Sequence, residues 1–272
     1  MNHPSTPTYL AKSIFHNSRL IYGLAKRDIA GRYKGSIGGI LWSAINPLIM
    51  LGIYTFVFSI VFKARWGSNS SDSRIGFAIA LFAGLIVFNI FSEMASKSPN
   101  LIINNRNFVK KVIFPLEILP IVDMLTALFH ATISTILLIV FSYLFAAPLP
   151  LASALAPLLI LPIILFSLGF SWATASLGVY VRDVAQITSL LTTVLMFLTP
   201  IFYPISALPA DFRIFLQFNP LAFSVESFRN AIVFGKPPNY IDLAIWLILS
   251  SIICWLGFSF FQKTRKGFAD VI

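Results

Sequence analysis

Between two long apolar runs of this chain lies a stretch that neither crosses a bilayer nor belongs in water: Thr199 to Gly235, TPIFYPISALPADFRIFLQFNPLAFSVESFRNAIVFG. Pro200, Pro204 and Pro209 interrupt the backbone, and Asn219-Pro220 breaks it again. The helix-compatible pieces on either side of that break, Asp211 to Phe218 and Leu221 to Val233, are each shorter than the ~20 residues needed to span the hydrocarbon. The pattern predicts a re-entrant or interfacial hairpin. Such backbone survives at membrane depth only where protein or a cavity covers it. A translocation path accounts for that better than an anchor does.

Composition sets the class. Of 272 residues, 57% are hydrophobic and 11% charged, against roughly 25% charged in a soluble domain. This is the composition of an all-α polytopic membrane protein. The single cysteine, Cys254, lies in the last apolar run, which excludes a disulfide framework and a Cys-rich metal site. The net charge of +10 is spread over loops between apolar runs, so it reads as topology and not as a nucleic-acid surface. The N-terminal region lacks the continuous apolar stretch of a cleavable signal.

Six spans are expected: Ile37 to Phe62, Ile75 to Ser96, Leu116 to Ala146, Leu151 to Val181, Val184 to Phe202 and Ile241 to Phe261. Spans three and four exceed ~20 residues and must tilt or project from the bilayer. Only the turn Ala147 to Pro150 separates them. Basic residues divide unequally between the two sides. The N-terminal segment, the loop after span two, Arg182 and the tail hold fourteen of the 20, and Lys63, Arg65, Arg74, Arg213, Arg229 and Lys236 lie opposite. The positive-inside rule then puts both termini in the cytoplasm and the 199–235 hairpin outside.

Two cytoplasmic elements stand out. Ile14, Ile21, Tyr22, Ala25, Ile29 and Tyr33 approximate one helical stripe, with Lys26, Arg27 and Arg32 placed to meet lipid phosphates. This predicts an interfacial helix over Ile14 to Lys34, the alternative being a plain basic flank to span one. The loop after span two, SKSPNLIINNRNFVKKVIFP, predicts a short amphipathic helix. Ser98 is its expected N-cap, Pro99 its first residue and Pro115 its end. Its apolar face suits either lipid or a partner protein.

Ionisable residues inside spans are few. Glu93 has Lys97 at i+4, a pairing distance on a helix. Glu117 and Asp123 open span three, and His130 lies one or two turns deeper. They sit near one interface and not at mid-membrane, so structural pairing is the expected role, and His130 reads as a hydrogen-bonded packing residue. No paired-carboxylate, His/Cys metal or G-x-S-x-G pattern is present, and no G-x-x-x-x-G-K-[ST] phosphate loop. If ATP drives this chain, another chain binds it. Tyr54, Phe58 and Phe62 share a face in span one, and Phe197, Phe202 and Tyr203 cluster at the outer end of span five. Sugar rings stack on such aromatic faces, although aromatic belts at the membrane surface have the same composition.

Four motifs, in order, carry a resemblance. RDIAGRYKGSIGGILWSAINPL leads into span one, NNRNFVKKVIFPLEILP follows span two, VYVRD follows span four, and TPIFYPISALP with FNPLAFSVESFRNAI follows span five. Together they resemble the membrane subunits of ABC-2 type polysaccharide exporters, most of all the O-antigen exporter permeases, with capsule and teichoic-acid exporters as relatives. The resemblance covers nearly the whole chain and implies a single transmembrane domain, residues 1–272, with no catalytic or metal site. It implies a bacterial inner-membrane half-transporter that pairs with a second copy of itself and with two copies of a separate ATPase, which holds ATP and Mg. Residues 10–34 would form a cytoplasmic interface helix. A coupling helix over 99–114 would meet the ATPase through Asn104, Arg106, Phe108, Lys110, Lys111 and Phe114, with Arg182 and Asp183 as a second contact. A hairpin over 208–234 would form the periplasmic gate, carrying Asp211, Arg213, Asn219, Pro220, Glu226 and Arg229, and the two hairpins of a dimer would meet near its axis. Tyr54, Phe58, Phe62, Phe197, Phe202 and Tyr203 would line the channel, and Arg27, Arg32 and Lys34 would receive the diphosphate of a polyprenyl-linked glycan. Membrane lipids complete the expected partners. A drug or lipid ABC-2 permease, or a secondary transporter, is the alternative.

Overall fold

A computed structural model describes residues 5–57, 74–110, 114–145 and 150–272. Among the described residues the chain is all-helical, with no strand. Phe58, Phe62 and Lys111 lie outside them, as does most of the turn between spans three and four.

The chain enters through α1 (Pro7–His16) and α2 (Ser18–Tyr33). Thr6 caps α1 by accepting from the Tyr9 amide at 3.3 Å, and Pro7 occupies the first turn, where its missing N–H costs nothing. The single helix expected over Ile14 to Lys34 is thus two. Asn17 separates them, its amide nitrogen donating to the Ser13 carbonyl at 2.8 Å. Of the expected apolar stripe, Ile21 and Ala25 are buried and Ile14, Ile29 and Tyr33 half-buried, whereas Tyr22 is exposed. The buried residues seat α2 against the helix Leu119–Phe145.

Among the described residues five helical segments have the length and apolarity to cross a membrane: Gly39–Val57, Ile75–Asn104, Leu116–Phe145, Leu151–Tyr180 and Tyr240–Val271. The regular helices within them are α3 (Trp42–Tyr54), α4 (Arg74–Lys97) with the one-turn α5 (Leu101–Asn104), α7 (Leu119–Phe145), α8 (Ala156–Leu159) with α9 (Leu161–Tyr180), and α13 (Tyr240–Thr264) with the terminal α14 (Phe268–Val271). The one-turn α6 (Arg106–Val109) follows α5, and α10 (Val184–Leu198), α11 (Ala210–Gln217) and α12 (Pro220–Ile232) complete the order. At about 1.5 Å per residue, α10 spans roughly 22 Å, less than the ~30 Å hydrocarbon.

Helix α4 is the centre. Of its most apolar window 78% is buried, against 11–28% for the other four spans. A helix apolar on all sides belongs in the interior, and α3, α7, α9, α10 and α12 surround it. Elsewhere small residues set the spacing. Helices α9 and α13 form the most extensive contact, their backbones meeting at Gly169 and Gly257. A Cβ on Gly169 would lie 2.5 Å from the Ile253 carbonyl oxygen, and one on Gly257 would collide with the Gly169 carbonyl. This is how membrane helices associate when hydrophobicity alone gives no preference. Gly178 similarly admits the Pro99 carbonyl. There Ser98 does not cap a helix as expected. Its hydroxyl shares a hydrogen bond of 2.7 Å with Thr174 of α9, because the 98–100 turn is packed against that helix. Pro99 does occupy a first-turn position.

Gly257→Leu should therefore destabilise the fold by about 1–3 kcal/mol or more through overpacking. Thermal unfolding of detergent-solubilised protein measures this. Gly23→Ala on α2, with nothing within 4 Å of the new methyl group, should leave the midpoint unchanged or slightly raised.

Candidate functional site: a polar-floored cleft

Helices α3, α4 and α7 enclose a cleft of about 550 Å³, closed at one end by Arg32 and Tyr33 and reaching Tyr54 and Met196 at the other. Its floor is ionic. Arg32 and Glu93 form a salt bridge at 2.5 Å, and His130 Nδ1 lies 2.9 Å from the second oxygen of that carboxylate. The Tyr33 hydroxyl is 3.0 Å from His130 Nε2. With Tyr33 donating to Nε2, the Nδ1–H is left to donate to Glu93. The guanidinium and the imidazole then converge on one carboxylate. Burial holds the Tyr33 hydroxyl above its usual range, with Arg32 opposing and Glu93 reinforcing the shift, so it stays a donor. Lys97 lies 3.4 Å from Glu93, the i+4 pair expected, and also 3.3 Å from Asp28 and 3.8 Å from Asp123. Thr126 donates to Asp28 at 3.2 Å. The ionic groups of α2, α4 and α7 therefore serve one another, the structural role expected of them.

A second hub lies where the chain's two ends meet. Glu117 is buried, yet it accepts from Arg265 at 2.6 Å, from Ser13 at 2.9 Å and from Tyr9 at 3.4 Å. Arg265 also donates to the Phe114 carbonyl, and Trp172 to the Glu117 carbonyl. One carboxylate thus ties α1, the start of span three and the C-terminal tail together.

The predicted site residues distribute as follows. Asn104, Arg106 and Lys110 are exposed, as is the pair Arg182 and Asp183 in the turn between α9 and α10. Phe108 is half-buried. It stacks on Phe114 within this chain, centroids 4.2 Å apart. Arg27 and Lys34 are exposed, whereas Arg32 is engaged with Glu93. Tyr54 and Phe202 meet at 6.3 Å and Phe202 and Phe197 at 5.9 Å, so span one and span five do bring their aromatics together. The Tyr203 hydroxyl donates to the Phe197 carbonyl at 3.0 Å.

The hairpin holds itself in place. The Asn219 side chain caps α12, accepting from the Leu221 amide at 3.0 Å and donating to Thr199 at 3.2 Å, with Pro220 in the first turn. Arg213 donates to the Leu208 and Ser206 carbonyls, and Asp211 is exposed. Glu226 and Arg229 pair at 2.8 Å. Arg229 is fully buried and also donates to the carbonyls of Ala80, Pro200 and Ile201. Gly84 makes room for it, since a Cβ there would strike the guanidinium. Helix α12 thus commits Leu221, Val225, Phe228 and Ile232 to the core around α4, while Phe212, Ile214 and Phe218 of α11 and its end are exposed.

Reading for ionisable groups alone overlooks the uncharged lining. Ser43 and Asn46 of α3, Asn89 and Ser92 of α4, and Ser134 of α7 face the cleft. The signal was present: Asn89, Ser92, Glu93 and Ser96 recur at i, i+3, i+4, i+7, one face of a helix.

The comparisons with known proteins fit this arrangement. A model of the "ABC-2 type transporter" family matches residues 19–233. The chain belongs to that family. It is 27% identical over 254 residues to an "O-antigen export system permease protein RfbA" of Klebsiella pneumoniae, covering 93% of this chain and 95% of that protein. The protein of that name from Myxococcus xanthus is 26% identical over 265 residues, 97% of this chain and 99% of its own. The "Polysialic acid transport protein KpsM" of Escherichia coli is 23% identical, over 95% and 98%.

Arg229→Ala should remove the hydrogen bonds to three buried carbonyls and the ion pair with Glu226, and cost roughly 2–4 kcal/mol. Arg229→Lys should recover only part of this, because a point charge cannot span two segments as a fork does. Chemical or thermal unfolding of the solubilised protein reads both.

Proposed function

We propose that this chain is the transmembrane subunit of an ATP-driven exporter that moves a polyprenyl-diphosphate-linked polysaccharide, an O-antigen, across the bacterial inner membrane. The observation that carries the reading is similarity to O-antigen export permeases across nearly the full length of both chains. In this reading α10 is the sixth span, completed by the 199–204 turn, and both termini face the cytoplasm. Two copies form the path, and two copies of an ATPase bind ATP and Mg beneath it. The hairpin of α11 and α12 closes the outer end, with exposed α11 as the part that meets the second copy.

The cleft supports this. It runs from an ionic floor beside α2 to Tyr54, whose ring meets Phe202 and, through it, Phe197, so polar groups and an aromatic cluster lie along one opening. Rings at its outer end offer sugars weak, repeated contacts, through which a polymer binds yet slides. Arg27 and Lys34 remain exposed beside the floor for a carrier diphosphate. Capsule export is the second reading, favoured by the similarity to the polysialic acid transport protein.

Complementation separates them. Expressed with its own ATPase in a strain lacking an O-antigen permease, the chain should restore surface O-antigen. Restoration of a capsule instead, in the matching capsule-permease mutant, would select the second reading. Arg106→Glu with Lys110→Glu should cut ATPase co-purification about tenfold, because both side chains are exposed and act through charge at a partner surface. Phe108→Asp should by contrast lower the thermal stability of the chain itself by breaking the Phe108–Phe114 stack.

A further inference from the structure

Asn89 is the one exposed residue between Phe77 and Ala95, in the most buried span of the chain. It faces the cleft, opposite Asn46 of α3. Among the described residues neither carboxamide has a hydrogen-bonding partner. Ser92 and Ser134 add two hydroxyls to the same lining. An amide left unpartnered in hydrocarbon costs several kcal/mol. Lipid tails therefore cannot be the natural filling of this space. Water, a polar ligand or a polar face of the second copy must be.

The charges lining the cleft narrow the ligand. They are Arg32, Glu93 and Lys97, with His130 beside them. Arg32 and His130 are spent on Glu93, and Lys97 is shared by Glu93, Asp28 and Asp123. No described cation in the cleft is left over for an acidic guest, and a carboxylate on every repeat would enter a confined path without a counter-charge. Carboxamides both donate and accept, which is the bonding pattern of an alcohol. Trp42 and Tyr54 supply aromatic surface in the same lining for the apolar faces of a ring. The volume, about 550 Å³, is that of an ordinary small-ligand site.

The geometry points to a subsite for neutral, hydroxyl-rich sugar units, in which Asn46 and Asn89 read hydroxyl groups and acidic repeats are disfavoured. This rests on the export reading above and adds to it the chemical class of the polymer.

Met50 lines the cleft without belonging to the polar set, so a cysteine there reports occupancy. The full-length permease, with its ATPase, carries Met50→Cys and Cys254→Ser in lipid nanodiscs. Maleimide labelling is followed with neutral heptasaccharides of glucose, mannose or galactose, and with sialic acid oligomers of the same length. At least one neutral oligomer should slow labelling about threefold, as one or two net hydrogen bonds would. The acidic oligomers should leave the rate unchanged, and Asn46→Leu with Asn89→Leu should remove the protection. The unprotected labelling rate of that double variant reports that it is folded, and Asn89→Gln, which keeps the amide, should retain part of the effect. Protection by acidic oligomers equal to that by neutral ones overturns the assigned class. Protection by none, or protection that survives loss of both amides, overturns the subsite. Complementation with a carrier-linked O-antigen reads the export function separately, so a functional exporter with an unprotected cleft would sink this inference and leave that reading standing.

Discussion

Glu93 sits on a helix surrounded by protein, where a carboxylate without a counter-charge is costly. Arg32 reaches it from α2, His130 from α7, and Lys97 from one turn along α4. Much follows from satisfying that one group. It fixes where α2 ends, brings Tyr33 onto His130, and lays a polar floor across the gap between α3, α4 and α7. Glu117 does the same for the opposite faces of the protein, drawing α1 and the C-terminal tail onto the start of span three. Half-buried Glu93 and buried Glu117 thus organise the part of the protein where α1, α2 and the C-terminal tail gather, and buried Arg229 organises the 199–235 segment by the same rule with the charges reversed.

Family membership gives these parts a context. The match to the ABC-2 type transporter family runs from α2 to the end of α12, so the ionic floor, the cleft and the hairpin all lie within the shared region. The tail that supplies Arg265 lies beyond it.

Much of this was legible in the sequence for local reasons. Apolar length announces the long spans, and the Asn219-Pro220 break announces the start of α12, because capping and proline geometry act within a few residues. The Glu93–Lys97 pair is a matter of helical spacing. The partners of Glu117 are not, since Ser13 and Arg265 come from opposite ends of the chain. Nor does a local pattern reveal that Arg229 faces inward, because the space for it is the missing side chain of Gly84 on another helix. Nor does a local pattern announce that Phe108 stacks on Phe114. Asn17 interrupts a stripe that remains continuous by apolar count, so the break between α1 and α2 is invisible to periodicity.

The central claim is that the cleft between α3, α4 and α7 is a polar path and not a groove filled by lipid. Cysteine reactivity at position 89 tests it most directly. In a Cys254→Ser background, Asn89→Cys should react with a charged, membrane-impermeant methanethiosulfonate, since water reaches the cleft. Ile248→Cys, on the exposed apolar face of α13, should react only with a lipid-soluble maleimide. If Asn89→Cys instead behaves like Ile248→Cys, the cleft is a lipid-facing groove and the account of a polar path through this protein is wrong.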